Sequence, residues 1–259
     1  MYLMAIKYKN SYPNQAKSRI VVLGNEKYAP VLSQVQFHTL LSIAIQHKQV
    51  LHQGFIKNAF CHGVLPDDEC VVVHPPKGCP HSSPNKLWRL KKILYGLDCS
   101  PLHWFNHIRA RFKSIGLHNS PNHPCVFQGK LLPEHPPLYV GLFVDDFCFF
   151  STSDVVEDKI QTLLNDHYTV SYEDSLDWYL AMKFDWFLTE SGLKVHVHQE
   201  AFILELLSRH KLSDCNKSPR ATPFKSGFPV DAITPSTLSP ATQTTLTQPY
   251  QQLMVISLG

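Results

Sequence analysis

Nowhere does the chain carry an apolar run approaching the roughly 18 residues of a membrane-spanning helix. The start, Met1-Tyr2-Leu3-Met4-Ala5-Ile6-Lys7, is too short to serve as a signal peptide, so an intracellular, cytoplasmic protein without a membrane partner is expected. It also lacks a cysteine framework: the seven cysteines are odd in number and scattered from Cys61 to Cys215, which argues for reduced thiols rather than a secreted disulfide scaffold. Charge of one sign is scarce too. With 24 basic and 21 acidic residues the net charge is +3, weak support on its own for a polyanionic partner. What the 259 residues do have is apolar content, 44% against 17% charged, enough for one large domain or two small ones around a sizeable core.

Patterning along the chain alternates helix and strand signals. The run Lys17-Ser18-Arg19-Ile20-Val21-Val22-Leu23 reads as a strand with Lys17 and Arg19 on one face, either a solvated edge or a basic binding surface, and Gly24-Asn25 reads as a turn. Residues 33–49 fit a helix burying Val35, Leu40, Leu41, Ile43, Ala44 and Ile45, and residues 50–56 a strand. Five prolines between residues 64 and 85 mark an extended excursion. Cys70, His74, Cys79 and His81 lie close together within it, but their spacing fits no common zinc module and Pro75 and Pro76 interrupt them. Residues 86–92 alternate basic and apolar side chains around Trp88, as a nucleic-acid-facing element or a solvated face would.

A helix is then signalled with Ser100 as N-cap, Pro101 at its first position and Leu102, Phe105, Ile108, Phe112 and Ile115 inward. Asp154 with Glu157 resembles a capping box for a helix burying Val156, Ile160, Leu163 and Leu164. Alternation from Leu180 to Leu188 and back from Leu193 to Val197 around Thr189-Glu190-Ser191-Gly192 predicts a hairpin. Residues 199–210 fit an amphipathic helix with Phe202, Ile203, Leu206 and Leu207 inward. From Ser213 onward Ser, Thr, Pro and Gln dominate and little packed structure is expected.

The chemically suggestive stretch is Tyr139-Val140-Gly141-Leu142-Phe143-Val144-Asp145-Asp146-Phe147-Cys148-Phe149-Phe150. Two apolar, β-forming runs flank adjacent carboxylates, which predicts a buried hairpin with both acids at its tip. Asp is a common turn residue, so the pair alone is compatible with a plain turn. A buried carboxylate pair nonetheless needs a nearby cation to stay ionised, and a rigid tip of hard oxygen ligands suits a divalent metal.

Around this hairpin the sequence resembles the reverse transcriptase region of copia-type retrotransposon polyproteins. Tyr28-Ala29-Pro30-Val31, Ile56-Lys57-Asn58-Ala59-Phe60, Leu94-Tyr95-Gly96-Leu97, Ser100-Pro101, Trp104 and Phe143-Val144-Asp145-Asp146 follow that family's blocks in order, and Trp178-Tyr179-Leu180, His198-Gln199-Glu200 and Thr222-Pro223 extend the match. The resemblance implies an α+β, right-hand polymerase fold with fingers and palm, an antiparallel palm sheet and helices packed on one face. It implies a fingers-like segment over residues 1–50, a palm over 51–212 with a fingers excursion at 64–92, and a largely irregular tail towards thumb and connection over 213–259. It also implies Asp145 and Asp146 as catalytic ligands of Mg2+ or Mn2+, with Phe60 as the gate against a ribose 2′-hydroxyl and Lys17 and Arg19 as cations near the incoming triphosphate. The partners would be an RNA or DNA template-primer and deoxynucleoside triphosphates.

The departures are as specific. The family places a further aspartate five residues before Phe60, and that position is Phe55. An apolar ring there removes one of three metal-binding carboxylates, so weakened metal binding and impaired polymerase activity are expected. Asp98 stands where a basic or neutral residue is usual, Ala181 replaces a usual glycine, and the stretch between Gly24 and Tyr28 is short. The match breaks off after Tyr250-Gln251-Gln252-Leu253 without a complete thumb, RNase H, protease or integrase segment. The alternatives are a non-catalytic nucleic-acid-binding remnant and a mobile-element relic with no selected role.

Overall fold

The computed structural model describes residues 28–75 and 87–209 in full, with the backbone of residues 2–9 and 12–20. The expected Gly24-Asn25 turn, Cys79 and His81, Thr222-Pro223 and the whole tail from residue 210 lie outside the described residues. Met1–Leu206 form one compact unit, and the second, Leu207–Gly259, is described only for its first three residues.

Strands β1 (Tyr2–Lys9) and β2 (Tyr12–Ile20) pair antiparallel, with Lys17 opposite Ala5 and Arg19 opposite Leu3. Helix α1 (Gln34–Gln46) opens on a reciprocal cap: the Gln36 amide donates to Ser33 Oγ at 3.2 Å and the Ser33 amide donates to Gln36 Oε1 at 3.1 Å. It buries Phe37, Leu40, Leu41 and Ala44 at the i, i+3, i+4, i+7 positions of one face. Val35, expected inside, is 77% exposed, because it lies two positions and therefore about 200° from Phe37 around the helix.

Strand β3 (His52–Ile56) leads through a short 3-10 turn at Ala59–His62 into the excursion, where β4 (Val72–Val73) pairs antiparallel with β5 (Trp88–Arg89). Helix α2 (Ser100–Ser114) begins one residue earlier than the capping signal predicted. Cys99 is at the cap position, while Ser100 is fully buried and its hydroxyl donates to the Leu94 carbonyl at 2.6 Å, so it secures the preceding loop. Strands β6 (His118–Ser120), β7 (His123–Gly129), β8 (Leu138–Phe143) and β9 (Asp146–Phe150) follow as an antiparallel run. Helix α3 (Asp154–Asn165) has Ser153 at its cap without a side-chain capping bond. Glu157 therefore does not close the expected capping box. It is buried, accepts from the Ser151 amide at 2.8 Å and meets His52 Nε2 at 3.1 Å, tying the end of β9 to the start of β3. Burial alone would lower the His52 pKa, but the Glu157 hydrogen bond and charge outweigh it and raise it.

With β10 (Val170–Glu173) these strands make a six-stranded sheet in the order β10-β3-β9-β8-β7-β6, antiparallel throughout. Its helices divide between the two faces, which corrects the expectation that they share one. Phe147 points towards α2, its ring 6.5 Å from Phe112, and α2 is tied to α3 by Arg111 Nη2 donating to the Leu163 carbonyl at 2.6 Å. Side chains of adjacent strand residues alternate, so Cys148 and its partner Gly141 face α1, where a Cβ on Gly141 would lie 2.7 Å from Leu40. The pattern rules favoured one face because they read each helix's apolar stripe without saying which side of the sheet it covers.

A separate three-stranded sheet contains β11 (Trp178–Tyr179), β12 (Met182–Thr189) and β13 (Gly192–His198). The strand predicted to begin at Leu180 begins at Met182, since Leu180 and Ala181 form a two-residue turn with φ of 50° and 61°. Helix α4 (Glu200–Arg209) has no buried residue, and Phe202 and Ile203, expected inward, are 37% and 53% exposed.

Ala181 is thus an L-residue held in the left-handed region, at a cost of roughly 1–2 kcal/mol that a glycine avoids, offset in part by glycine's greater freedom in the unfolded chain. Ala181→Gly is expected to stabilise the protein by about 0.5–1 kcal/mol, read as a small rise in the thermal midpoint. An unchanged or lower midpoint would contradict the strain assigned to this turn.

Candidate metal and nucleotide site at the β8–β9 turn

The hairpin tip is a two-residue turn, Val144-Asp145, closed by the pair Phe143 and Asp146. Val144 has φ of 57°, an uncommon conformation for a β-branched residue. Two hydrogen bonds hold it in place. The indole Nε1–H of Trp104, a residue 1% exposed on α2, donates to the Val144 carbonyl at 2.7 Å, and the Ile56 amide at the end of β3 donates to the Asp145 carbonyl at 2.9 Å. The tip is therefore fixed from the helix layer and from the neighbouring strand, which presents the two carboxylates on a rigid support.

Asp146 is half-buried, and its pKa is pushed up to about 6, first by burial and then by the charge of Asp145, while a hydrogen bond from Gln53 pulls the other way. Across β3 the residue paired with Asp146 is Phe55, itself half-buried. The position identified by counting back from Phe60 thus stands opposite the second acid in the strand register. Among the described residues no third His, Cys, Asp or Glu joins Asp145 and Asp146 within metal-ligand reach. Asp67 and Asp68 are exposed on the excursion, and Glu69 is engaged with His103.

Phe60 sits in the 3-10 turn, its ring 4.7 Å from that of Tyr95. It lines a cavity of about 550 Å³ together with Ala29, Pro30, Trp104, Leu142 and Val144. Segments far apart in the chain, the Tyr28 to Val31 block, the Phe60 turn, α2 and the hairpin tip, therefore converge on one largely apolar hollow beside the acids. Lys17 and Arg19 are placed only as neighbours along β2, and the described structure does not bring them to this hollow.

Three contributors were not singled out by sequence reasoning. Gln53 is two residues before Phe55 and so shares its face, a relation that strand parity could have exposed. Burial first, and then the nearby Cys148 and Asp146, drive the phenol of the buried Tyr179 well above the ordinary value. Trp104 was noted as part of a block, but its bond to Val144 joins residues 40 positions apart and no local pattern reveals it.

Adjacent carboxylates, one of them hard to ionise for want of a counter-charge, fit a single Mg2+ or Mn2+ that keeps part of its water shell. They do not fit a pair of bridged ions, since Phe55 supplies no oxygen where a bridging ligand would be needed.

Comparison with known proteins bears on the family of the chain as a whole. The profile of the reverse transcriptase (RNA-dependent DNA polymerase) family matches residues 3–226. A retrovirus-related Pol polyprotein from transposon RE1 of Arabidopsis thaliana is 27% identical over 223 residues, covering 82% of this chain and 14% of that polyprotein. The Pol polyprotein from transposon TNT 1-94 of Nicotiana tabacum is 26% identical over 218 residues, 80% of this chain and 16% of the relative. A transposon Ty1-H Gag-Pol polyprotein of Saccharomyces cerevisiae is 30% identical over 163 residues, 59% of this chain and 8% of the relative. The chain therefore spans a small fraction of the length of these relatives.

Because Asp146 binds its proton more tightly when folded, its contribution to stability is present at low pH and is lost as pH rises through about 6. Asp146→Asn removes the buried charge, so it is expected to raise the thermal midpoint at pH 7.5 in metal-free buffer. The gain should shrink towards pH 5, where the native carboxyl is already neutral. A gain independent of pH would show that the effect is not electrostatic.

Proposed function

The chain belongs to the reverse transcriptase (RNA-dependent DNA polymerase) family as a domain of the copia-type transposon Pol polyproteins, and on that premise we propose that it is a fingers-and-palm segment with impaired polymerase chemistry. In this reading β3, β8, β9 and β10 with α2 and α3 form the palm within residues 51–212, the excursion at 64–92 returns to the fingers begun by residues 1–50, and 213–259 lead towards a thumb. The pairing of Phe55 with Asp146 carries the impairment, because it sets an apolar ring where the resemblance requires the third carboxylate.

Asp145 and Asp146 would hold one divalent ion with help from the triphosphate of a bound nucleotide. Such an ion supplies charge stabilisation for the developing negative charge of an in-line phosphoryl transfer. The protein's own contribution is positional. Trp104 and Ile56 fix the tip, Gln53 orients Asp146, and Phe60 with Val144 walls the hollow against which a sugar would pack. Lys17 and Arg19 are the cations proposed for the triphosphate. Without a third acid the primer 3′-hydroxyl lacks its activating ion, so turnover falls more than nucleotide binding does.

A second reading, template binding without catalysis, draws on the exposed side chains of Arg89 at the end of β5 and of Lys91 and Lys92 just after it. It predicts affinity for a primed RNA or DNA template that falls steeply with salt and is unchanged in Asp145→Asn.

Primer extension with Mg2+ or Mn2+ on a primed RNA template tests the main reading. The natural chain is expected to incorporate little or nothing, and Phe55→Asp to raise incorporation at least tenfold, with Asp145→Asn in the same background returning it to zero. Robust incorporation by the natural chain, or no gain in a folded Phe55→Asp variant, would overturn the role given to Phe55.

A further inference from the structure

Away from the acid pair, Glu69, Cys99 and His103 bring a carboxylate, a thiol and an imidazole together, their ligand atoms all within 4.8 Å of one another. They come from two separate segments. Glu69 lies in the loop before β4, whereas Cys99 caps α2 and His103 follows it by four residues, so that both project from one side of the helix start. His103 Nε2 is 2.9 Å from Glu69 Oε2, and Cys99 is 3% exposed. A hydrogen bond accounts for Glu69 and His103, but it does not call for a thiol at the same point. The Cys99 thiol is pushed up by burial first and then by the Glu69 and Asp98 charges, so in the metal-free cluster it keeps its proton. A cation placed among these three groups reverses that cost, because it converts an unfavourable thiolate into a ligand.

We propose that Glu69, Cys99 and His103 form a zinc-binding site that clips the excursion loop to the start of α2, with water completing the coordination. Sulfur, imidazole nitrogen and carboxylate oxygen together are the donor set of a borderline metal such as zinc, whereas Mg2+ prefers oxygen alone. On binding, the Cys99 S–H bond breaks, a zinc–sulfur bond forms and the proton passes to solvent. His103 coordinates through the Nε2 lone pair with its proton on Nδ1. No electron is transferred. Affinity therefore rises with pH. The site differs from the zinc cluster weighed from the sequence, since Cys70 and His74 are exposed and neither belongs to it. A second trio, Asp185, His196 and His198, lies on the face of the β12–β13 hairpin, but Lys183 Nζ is 2.8 Å from Asp185 Oδ1 and that cluster has no sulfur, which makes it a useful control.

The test is a Co2+ titration of the reduced, full-length chain, followed by displacement with Zn2+. One equivalent of Co2+ is expected to produce a thiolate-to-cobalt charge-transfer band that one equivalent of Zn2+ removes and millimolar Mg2+ does not. Cys99→Ser should abolish the band, and His103→Gln and Glu69→Gln should each weaken Zn2+ binding more than tenfold. Cys70→Ser and His196→Ala should leave the band intact. Zn2+ should also raise the thermal midpoint of the natural chain and not that of His103→Gln, a readout that remains if Cys99→Ser fails to fold. Absence of the band from the natural chain, or a band that survives Cys99→Ser or depends on Cys70 or Cys79, would overturn the proposal. Neither result bears on the Phe55 reading, which concerns a different set of ligands.

Discussion

The hydrogen bond from the Trp104 indole to the Val144 carbonyl is the contact on which the site depends most. A β-branched residue in the left-handed region costs of order 1–3 kcal/mol and persists only where its surroundings over-determine it. Here the restraint comes from two directions, a fully buried indole on α2 and the last amide of β3. Relaxing the turn would leave the indole N–H without its acceptor inside the core, a penalty comparable to the strain itself. The acids at positions 145 and 146 are consequently presented by the packing of α2 against the sheet, and their placement is inherited from the core.

That core makes the same point elsewhere on the face covered by α2. Gly54 is directly paired with Phe147, and a Cβ on Gly54 would run into the Phe147 ring. The absence of a side chain at 54 lets Phe147 lie across β3 while Gln53 and Phe55, on either side of it, turn towards Asp146. Three consecutive residues of one strand thus set the packing on one face and the electrostatics on the other. Shifting the register by one residue would exchange the two sets, which is why the apolar face also fixes which residue meets the carboxylate.

Much of this was legible in the sequence, and the reasons for the exceptions are physical. The β8–β9 hairpin and its tip followed from two apolar runs around adjacent acids, and α1 and α2 from periodicity and capping residues. The facing of α4 was misread because periodicity finds an apolar stripe whether or not anything covers it, and the described residues leave Phe202 and Ile203 exposed. Strands β6 and β10 escaped notice since His118-Asn119-Ser120 is polar and residues 170–173 are short, so that neighbours rather than propensity make them strands. Glu157 looked like a helix cap, but its burial beside His52 depends on a contact between residues more than 100 positions apart. In the site, Asp145 and Asp146 were reached from the apolar runs that flank them, and Phe55 and Phe60 from the resemblance to copia-type reverse transcriptases. Gln53, Trp104 and the Glu69, Cys99 and His103 cluster required the fold, because each gains its meaning from a partner that sequence distance conceals.

Phe55 also changes the balance between stability and chemistry. Asp146 already carries a raised pKa from burial and one neighbouring carboxylate, and a further anion at position 55 would add repulsion on the same face without a cation to absorb it. An aromatic ring there removes that burden and covers apolar surface between β10 and β9. A polymerase site accepts such electrostatic strain because bound metal and nucleotide relieve it during use. A chain with phenylalanine at this position is relieved of it permanently, so on the proposed reading the same substitution that disables the two-ion arrangement makes the metal-free fold easier to maintain. On that reading a single residue at position 55 accounts both for the missing third acid and for an ordered sheet around β3 and β9, and neither requires the other residues of the hairpin tip to have moved.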